Sequence, residues 1–362
     1  MLVFVLNAGS SSLKYQLIDI KSKELKASGL VERIGIDGIL KHEIGENKKI
    51  TFELPIPTHK EAIELVLRIL TNDETKVINS IDEIKAIGHR VVHGGEHFKG
   101  SVIVDDEVIR KIEELIPLAP LHNPANIMGV KICKDLMPKV PNVVTFDTAF
   151  HQTMPMENFL YAVPYADYTE HHLRKYGFHG TSHYYVSQEA IKLLNKKDSK
   201  VIVCHLGNGS SVCAVKDGKS ISTSMGLTPL EGLVMGTRSG DIDAGVIPYL
   251  MEKKGLNHIQ ILDYLNKKSG ILGVSGVSSD LREVIKAAND GDKRSKIAIT
   301  MLCDRIKKYL CSYAGLMHGV DAICFTAGIG ENSDLIREKV CEGLEFMGIE
   351  IDKDKNSKRE KG

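Results

Sequence analysis

Nowhere does the 362-residue sequence hold the roughly 18 consecutive apolar residues that a membrane-spanning helix needs. That argues against a helical membrane protein. Excess charge is missing too, since Lys plus Arg and Asp plus Glu both total 47. Without a basic surplus there is no electrostatic case for a nucleic-acid or anionic-membrane partner. The seven cysteines (Cys133, Cys204, Cys213, Cys303, Cys311, Cys324 and Cys341) include no CxxC pair. An odd, scattered set suits buried thiols in a reducing compartment better than a disulfide frame or a zinc ribbon. The opening MLVFVLNAGSSS has no basic leader and reads as a strand rather than a signal peptide. Low-complexity tracts are absent as well. The expectation is a soluble, cytoplasmic protein.

What is present reads as ordinary globular chain, 43% hydrophobic and 26% charged. The length exceeds what one core usually supports, so two domains are expected, 1–150 and 151–362, with the boundary near residues 147–155. Strand and helix patterns alternate throughout. Residues 2–6 and 15–20 read as strands around a Gly/Ser turn, with further short β patterns to about residue 57. Ala62, Ile63, Val66, Leu67, Ile69 and Leu70 fall at helical spacing. A strand is expected at 84–89, helices at 106–116 and 125–136, the second opened by Asn123-Pro124, and a strand at 142–146 ending on Asp147. Beyond a Pro- and Tyr-rich stretch (154–168) the pattern restarts with a helix at 182–194 and strands at 201–205, 210–215 and 220–223. Helices at 280–288 and 295–317, a strand at 322–326 and a helix at 333–346 follow.

One string echoes another. Leu6-Asn7-Ala8-Gly9-Ser10-Ser11 and Leu206-Gly207-Asn208-Gly209-Ser210-Ser211 occupy the same strand–turn–strand setting. A duplicated α/β domain with one phosphate-binding hairpin per copy would produce this, although two Gly/Ser turns can also agree by chance. In the first string, small residues let N–H groups and hydroxyls such as those of Ser10 and Ser12 converge on phosphate oxygens. Lys14 can add a charge, and Asn7 an uncharged oxygen for a metal or its water. The loop is not a P-loop, because GxxxxGK[ST] is missing and a strand follows. A third segment, Ala327-Gly328-Ile329-Gly330-Glu331-Asn332, follows the strand at 322–326. Its glycines would let a flat nucleotide approach the backbone. It lacks the GxGxxG spacing, which disfavours a dinucleotide.

Arg90 in GHRVVHGG and Arg238 in MGTRSGD are flanked by small residues that clear space around a guanidinium fork, the shape that reads carboxylates and phosphates. Either could instead be an ordinary surface or salt-bridged arginine. Asp147 ends an apolar strand, where α/β folds present polar groups to a cleft, or it caps the next segment. His179 and His183 are four apart and could face one metal. No third ligand of matching spacing appears, so a zinc site is disfavoured.

In their order and spacing, NAGSSSLK, GHRVVHGG, FDTAFH, YGFHGTSH, HLGNGSS, MGTRSGDID and AGIGENS make the chain, from residue 1 to about 352, resemble the acetate/propionate kinase family. These short-chain acyl kinases belong with the kinases built like actin, hexokinase and the 70-kDa chaperones. The resemblance implies an α/β fold of two duplicated actin-like (ribonuclease H-like) domains with an interdomain nucleotide cleft. It implies in-line transfer from ATP to acetate, giving ADP and acetyl phosphate, with Mg²⁺ as cofactor and Mn²⁺ a substitute. Propionate or butyrate as acceptor is the nearest alternative. An actin-like ATPase switch is the alternative of another class, and it leaves Arg90 and FHGTSH without a role.

Carried over position by position, the resemblance gives Asn7 to the metal and Ser10, Ser12 and Lys14 to the nucleotide phosphates. Arg90 would bind the substrate carboxylate, with Val92, Leu121, Phe178 and Pro229 around the acyl methyl. Asp147, His179 and Arg238 would be catalytic, Asp147 orienting Mg²⁺ or an arginine rather than removing a proton. The ATP site would draw on His205, Leu206, Gly207, Asn208 and Gly209, on Asp280, Leu281 and Arg282, and on Gly328, Ile329, Gly330, Glu331 and Asn332. A homodimer through the second domain is also implied. One departure stands out: family members continue past this point by about a strand and a helix that return to the first domain and carry a metal-binding Glu. Here a charged tail, 353–362, takes that place, and the expectation is that the native chain continues.

Overall fold

Alternating apolar and polar residues over the first fifty-odd positions produce five consecutive antiparallel strands, β1 (Leu2–Ala8), β2 (Leu13–Asp19), β3 (Glu24–Glu32), β4 (Ile39–Ile44) and β5 (Lys48–Glu53). They open a computed structural model in which residues 1–45 and 48–358 are described. The chain splits into two units, Met1–Ala149 and a second beginning at Phe150. The α/β class expected from the sequence holds, with one sheet of eight strands and another of four.

In the first unit the chain continues through α1 (His59–Thr71), β6 (Ile84–Val91), β7 (Val102–Ile103), α2 (Asp106–Glu114), α3 (Asn123–Leu136) and β8 (Asn142–Phe146). The sheet order is β5-β4-β3-β2-β1-β6-β8-β7, with β6 parallel to both β1 and β8. Thr58 caps α1 by accepting from Lys60 N, and the helical stripe read in the sequence is buried against Phe4, Leu6 and Leu17 of the sheet. Each such side chain contributes about 1.5–3 kcal/mol on leaving water. Pro124 lies in the first turn of α3, where its missing N–H costs no hydrogen bond.

The second unit begins with short helices α4 (Met156–Phe159) and α5 (Tyr165–His171) inside the Pro- and Tyr-rich stretch. Then come α6 (Gly180–Leu194), β9 (Lys200–Leu206), β10 (Ser210–Lys216), β11 (Lys219–Thr223), α7 (Val246–Lys254), α8 (His258–Lys267), α9 (Gly270–Ser275), α10 (Leu281–Asn289) and α11 (Lys293–Met317). The unit closes with β12 (Ala322–Thr326), α12 (Ala327–Asn332), α13 (Asp334–Cys341) and α14 (Lys353–Lys358). Its sheet runs β11-β10-β9-β12, with β12 parallel to β9. The two echoed strings form equivalent hairpins, β1–β2 and β9–β10, each beside a parallel neighbour of its first strand. Helix α11 packs Ala298, Leu302, Ile306 and Leu310 onto the core that includes Ile202 and Val212 of the sheet.

One reading needs correction. The expected helix at 333–346 is α13 alone, because Gly343 takes a left-handed φ of +77° and the chain turns there. The glycine segment 327–332 forms the short helix α12. Of the charged tail, residues 359–362 lie outside the described residues.

Candidate active site

In the first unit, three parallel strands deliver their carboxyl ends side by side, the place where open α/β sheets offer polar groups to ligands. The register pairs Leu6 of β1 with His89 of β6, and Arg90 of β6 with Thr145 of β8. Asn7 therefore lies beside Arg90, and Asp147, two residues past Thr145, projects to the same face. The side chains meet. Arg90 Nε donates to both Asp147 carboxylate oxygens at 3.0 Å, Nη2 adds a further bond to Oδ2, and Nη1 donates to Asn7 Oδ1 at 3.3 Å. Asp147 is 3% exposed, and its N–H is fixed by Val91 O at 3.1 Å. Burial opposes the Arg90 charge, but the adjacent carboxylate outweighs it and raises the guanidinium pKa. A guanidinium carries five N–H donors. Three are spent here, which leaves two for a ligand carboxylate.

The second unit holds the other arginine in a different state. Arg238 is half-buried, and its nearest acceptors are Pro229 O at 3.4 Å and Met235 Sδ at 3.8 Å. No carboxylate among the described residues pairs with it, and burial pushes its pKa below the ordinary value. A partly desolvated cation without a counter-ion is costly, and an arriving anion relieves that cost. The site converges on Gly209: a Cβ built there would lie 3.3 Å from Arg238 Nη1 and 3.7 Å from His179 Nε2. His179 starts α6 with a left-handed φ of +56°, a conformation non-glycine residues adopt mainly where surroundings enforce it. Its ring stacks on His205 at 4.1 Å, and its Nδ1 is hydrogen-bonded to Ser211 Oγ at 2.8 Å.

A cavity of about 930 Å³ gathers three stretches that lie far apart in sequence: Gly207–Asn208, residues 279–282 with Ile285, and Gly328, Ile329 and 332–335. That volume sits within the range of nucleotide-sized ligand sites. The parallel pairing Thr326↔His205 brings the ends of β9 and β12 together, and Ala327 adopts a strained φ of +65° where the backbone turns into α12. Asp280 caps α10 and accepts from the Arg282 side chain and then from its N–H, which lowers its carboxyl to about 2.

Not every expected residue faces this cavity. Leu206 is 1% exposed in the core, and Gly330 packs against the Phe325 backbone. Glu331 turns back to accept from Thr326 Oγ1 and Ala327 N. His205 and Gly209 belong to the histidine–arginine cluster instead. In the first unit Lys14 and Asn7 border a separate cavity of about 480 Å³ on the outer face of β1–β4. Ser10 is exposed and Ser12 half-buried in the turn between β1 and β2. Of the acyl-pocket candidates, Val92 and Phe178 are buried and Pro229 half-buried, but Leu121 is 74% exposed on the turn before α3.

Asn7 Oδ1 accepts from Arg90 at 3.3 Å, which leaves its second lone pair for another partner, and among the described residues no cluster of three His, Cys, Asp or Glu could hold a metal ion. Sequence reasoning named His183 only as a possible metal partner of His179 and Ser211 only as part of the echoed turn; the structure joins them instead, Ser211 Oγ bonding both His179 Nδ1, 32 positions away, and His183 Nε2, 28 positions away.

A family model described as the acetokinase family matches residues 2–362. The acetate kinase of Treponema denticola is 56% identical over 364 residues, covering 100% of this chain and 92% of that protein. The crystal structure of Porphyromonas gingivalis acetate kinase superposes with a TM-score of 0.95 at 50% identity, covering 98% of this chain and 90% of that one. A Francisella tularensis propionate kinase superposes at 0.93 and 44% identity, covering 99% and 91%.

Proposed function

The chain belongs to the acetokinase family, and from that premise we propose that it transfers the γ-phosphoryl group of ATP reversibly to the carboxylate of acetate. The observation that carries this reading is Arg238, a half-buried cation with no carboxylate partner among the described residues, next to a nucleotide-sized cavity through Asn208 and Gly209. The first unit supplies the acceptor end, where Arg90 keeps two N–H donors for a carboxylate.

Acetate resembles a Glu side chain, with a pKa of about 4.3, so it arrives ionised and no base is needed. The obstacle is bringing one anion against another, which positioning and charge neutralisation overcome. Mg²⁺ enters with ATP as part of the substrate, held mainly by the phosphates. Arg90 holds the acetate oxygens, and Asp147 fixes the orientation of the Arg90 fork. Asp147 is a poor nucleophile here, since its oxygens are committed to Arg90, so transfer goes directly to acetate without a phosphoenzyme. His179 Nε2 and Arg238 meet the charge that develops on the transferring phosphoryl group.

Trapping acyl phosphate with hydroxylamine tests this: hydroxamate should form only when ATP and acetate are both present. ATP hydrolysis without acetate-dependent hydroxamate would instead mark an ATPase switch. Propionate is the second reading to weigh, given the propionate kinase among the structural relatives and the open setting of Leu121. One methylene is worth only about 1–3 kcal/mol, so kcat/KM for the two acids should be compared directly.

Arg90→Ala should raise the acetate KM about 100-fold and change kcat less. Four heavy atoms cap acetate binding near 6 kcal/mol, and two charge-assisted hydrogen bonds at about 1.5–3 kcal/mol each make up much of that. Steady-state kinetics with varied acetate decide it, and an unchanged acetate KM removes Arg90 from the substrate site. Gly236→Ala reports on the nucleotide side. A Cβ there would sit 1.8 Å from Asn208 Oδ1, so Asn208 must swing out of the cavity. Calorimetry should find ATP bound about tenfold more weakly, the worth of one hydrogen bond.

A cytoplasmic setting accords with seven free cysteines, and no helix among the described residues is long and apolar enough to cross a membrane. We also expect a homodimer through the second unit, where Tyr249, Ile259, Leu262 and Met301 leave apolar surface exposed. Sedimentation at micromolar protein tests that expectation.

A further inference from the structure

Behind His179 lies a second hydrogen-bonded layer that the proposed transfer does not use. Ser211 Oγ is 2.8 Å from His179 Nδ1 and 2.7 Å from His183 Nε2. Ser211 and His183 are both 0% exposed. The remaining ring nitrogen of His183, Nδ1, is buried and has no hydrogen-bond partner. Burial, together with His151, His205 and His179 nearby, holds the His183 pKa well below the usual value, so this imidazole is neutral.

A neutral imidazole has one N–H, and a serine hydroxyl has one proton. If His183 carried its proton on Nδ1, a buried donor would be orphaned, and buried donors are orphaned more rarely than acceptors. The proton therefore belongs on Nε2, which donates to Ser211 Oγ. The Ser211 hydroxyl then donates onward to His179 Nδ1, which accepts. In neutral His179 this leaves the proton on Nε2, the nitrogen that faces Gly209 and Arg238. Stacking on His205, whose Nδ1 is tied to Ser182 Oγ at 2.8 Å, holds the plane of the ring.

We propose that Ser211 and His183 are positioning residues that lock His179 in the Nε2–H tautomer, aiming a hydrogen-bond donor at the transferring phosphoryl group. The inference rests on the phosphoryl transfer proposed above. With the opposite tautomer, a lone pair would face the phosphoryl oxygens and repel them.

Nitrogen NMR of the full chain, labelled with ¹⁵N-histidine and held above the ordinary imidazole pKa of about 6.5, reads tautomers directly. The His179 signals are identified by their loss in His179→Gln. In the wild type, His179 should show a bare Nδ1 and a protonated Nε2, and His183 the same pattern. Ser211→Ala should turn His179 into a mixture of tautomers. Because part of the population keeps the right one, kcat should fall about tenfold rather than by the 10²–10³ of removing a donor outright, with KM for ATP and acetate unchanged. Ser211→Thr, which keeps the hydroxyl, should restore both. His183→Gln, whose amide can still donate to Ser211, should retain the tautomer and most of kcat if Ser211→Ala fails to fold. A wild-type His179 protonated on Nδ1 overturns the proposal, as does an unchanged tautomer in folded Ser211→Ala. If hydroxamate never forms with the wild type, the proposed function fails, while the tautomer measurement still decides the hydrogen-bond chain.

Discussion

Arg238→Ala lowers kcat by about 10³ or more and leaves the acetate KM within a few-fold of the wild type. The size follows from the charge balance at the two arginines. Arg90 is neutralised by Asp147 before substrate arrives, whereas Arg238 has no carboxylate among the described residues and is partly desolvated. Its charge is therefore available to the three phosphoryl oxygens as negative charge builds up on them. Arginines in that role are worth about 10³–10⁵ in rate. An interaction realised only in the transition state appears in kcat and kcat/KM together, while ground-state binding appears in KM. Rapid-quench turnover at saturating ATP and acetate gives the number. A fall in acetate affinity with kcat preserved would show that Arg238 binds acetate and would reverse the roles given to the two arginines.

Acidification destabilises the first unit between about pH 6.5 and pH 4, before its carboxylates matter. His89 and His93 are buried there, and burial lowers each to a pKa of about 4, with the Asn142 hydrogen bond only partly restoring His89. In the unfolded chain both imidazoles titrate near 6.5. The folded state thus refuses protons that the unfolded state accepts. The stability these residues contribute is complete above about pH 6.5, erodes as pH falls, and is lost by the folded pKa near 4. Two and a half pKa units correspond to about 3 kcal/mol for each histidine, a large share of a typical domain's 5–15 kcal/mol. Urea unfolding followed at stepped pH measures it, and His89→Gln should flatten about half of the slope. A stability that stays level from pH 7 down to 4.5 would contradict the buried, neutral state of these rings.

The sequence by itself determined the elements and the kinds of group they carry. The hairpin echo at 6–11 and 206–211, the strand that stops at Asp147 and the helix opened by Asn123-Pro124 were all legible. Each depends on residues within a turn or two: side-chain period, turn chemistry, and a proline where no N–H is needed. Only the tertiary structure decided who pairs with whom. Arg90 and Asp147 are 57 positions apart and meet because the β6–β8 register sets them on one face. That same register sets Asn7 Oδ1 against the Arg90 guanidinium. Leu121, an apolar residue in a motif-rich stretch, ends up on an exposed turn. The first histidine of YGFHGTSH bonds Ser211 on β10, a residue the sequence marks only as part of a glycine-serine turn, with no sign of its partner. The division has one physical cause. Backbone conformation answers mostly to neighbours in the chain, whereas hydrogen-bond partner, burial and protonation depend on strand register and packing between segments that no local pattern encodes.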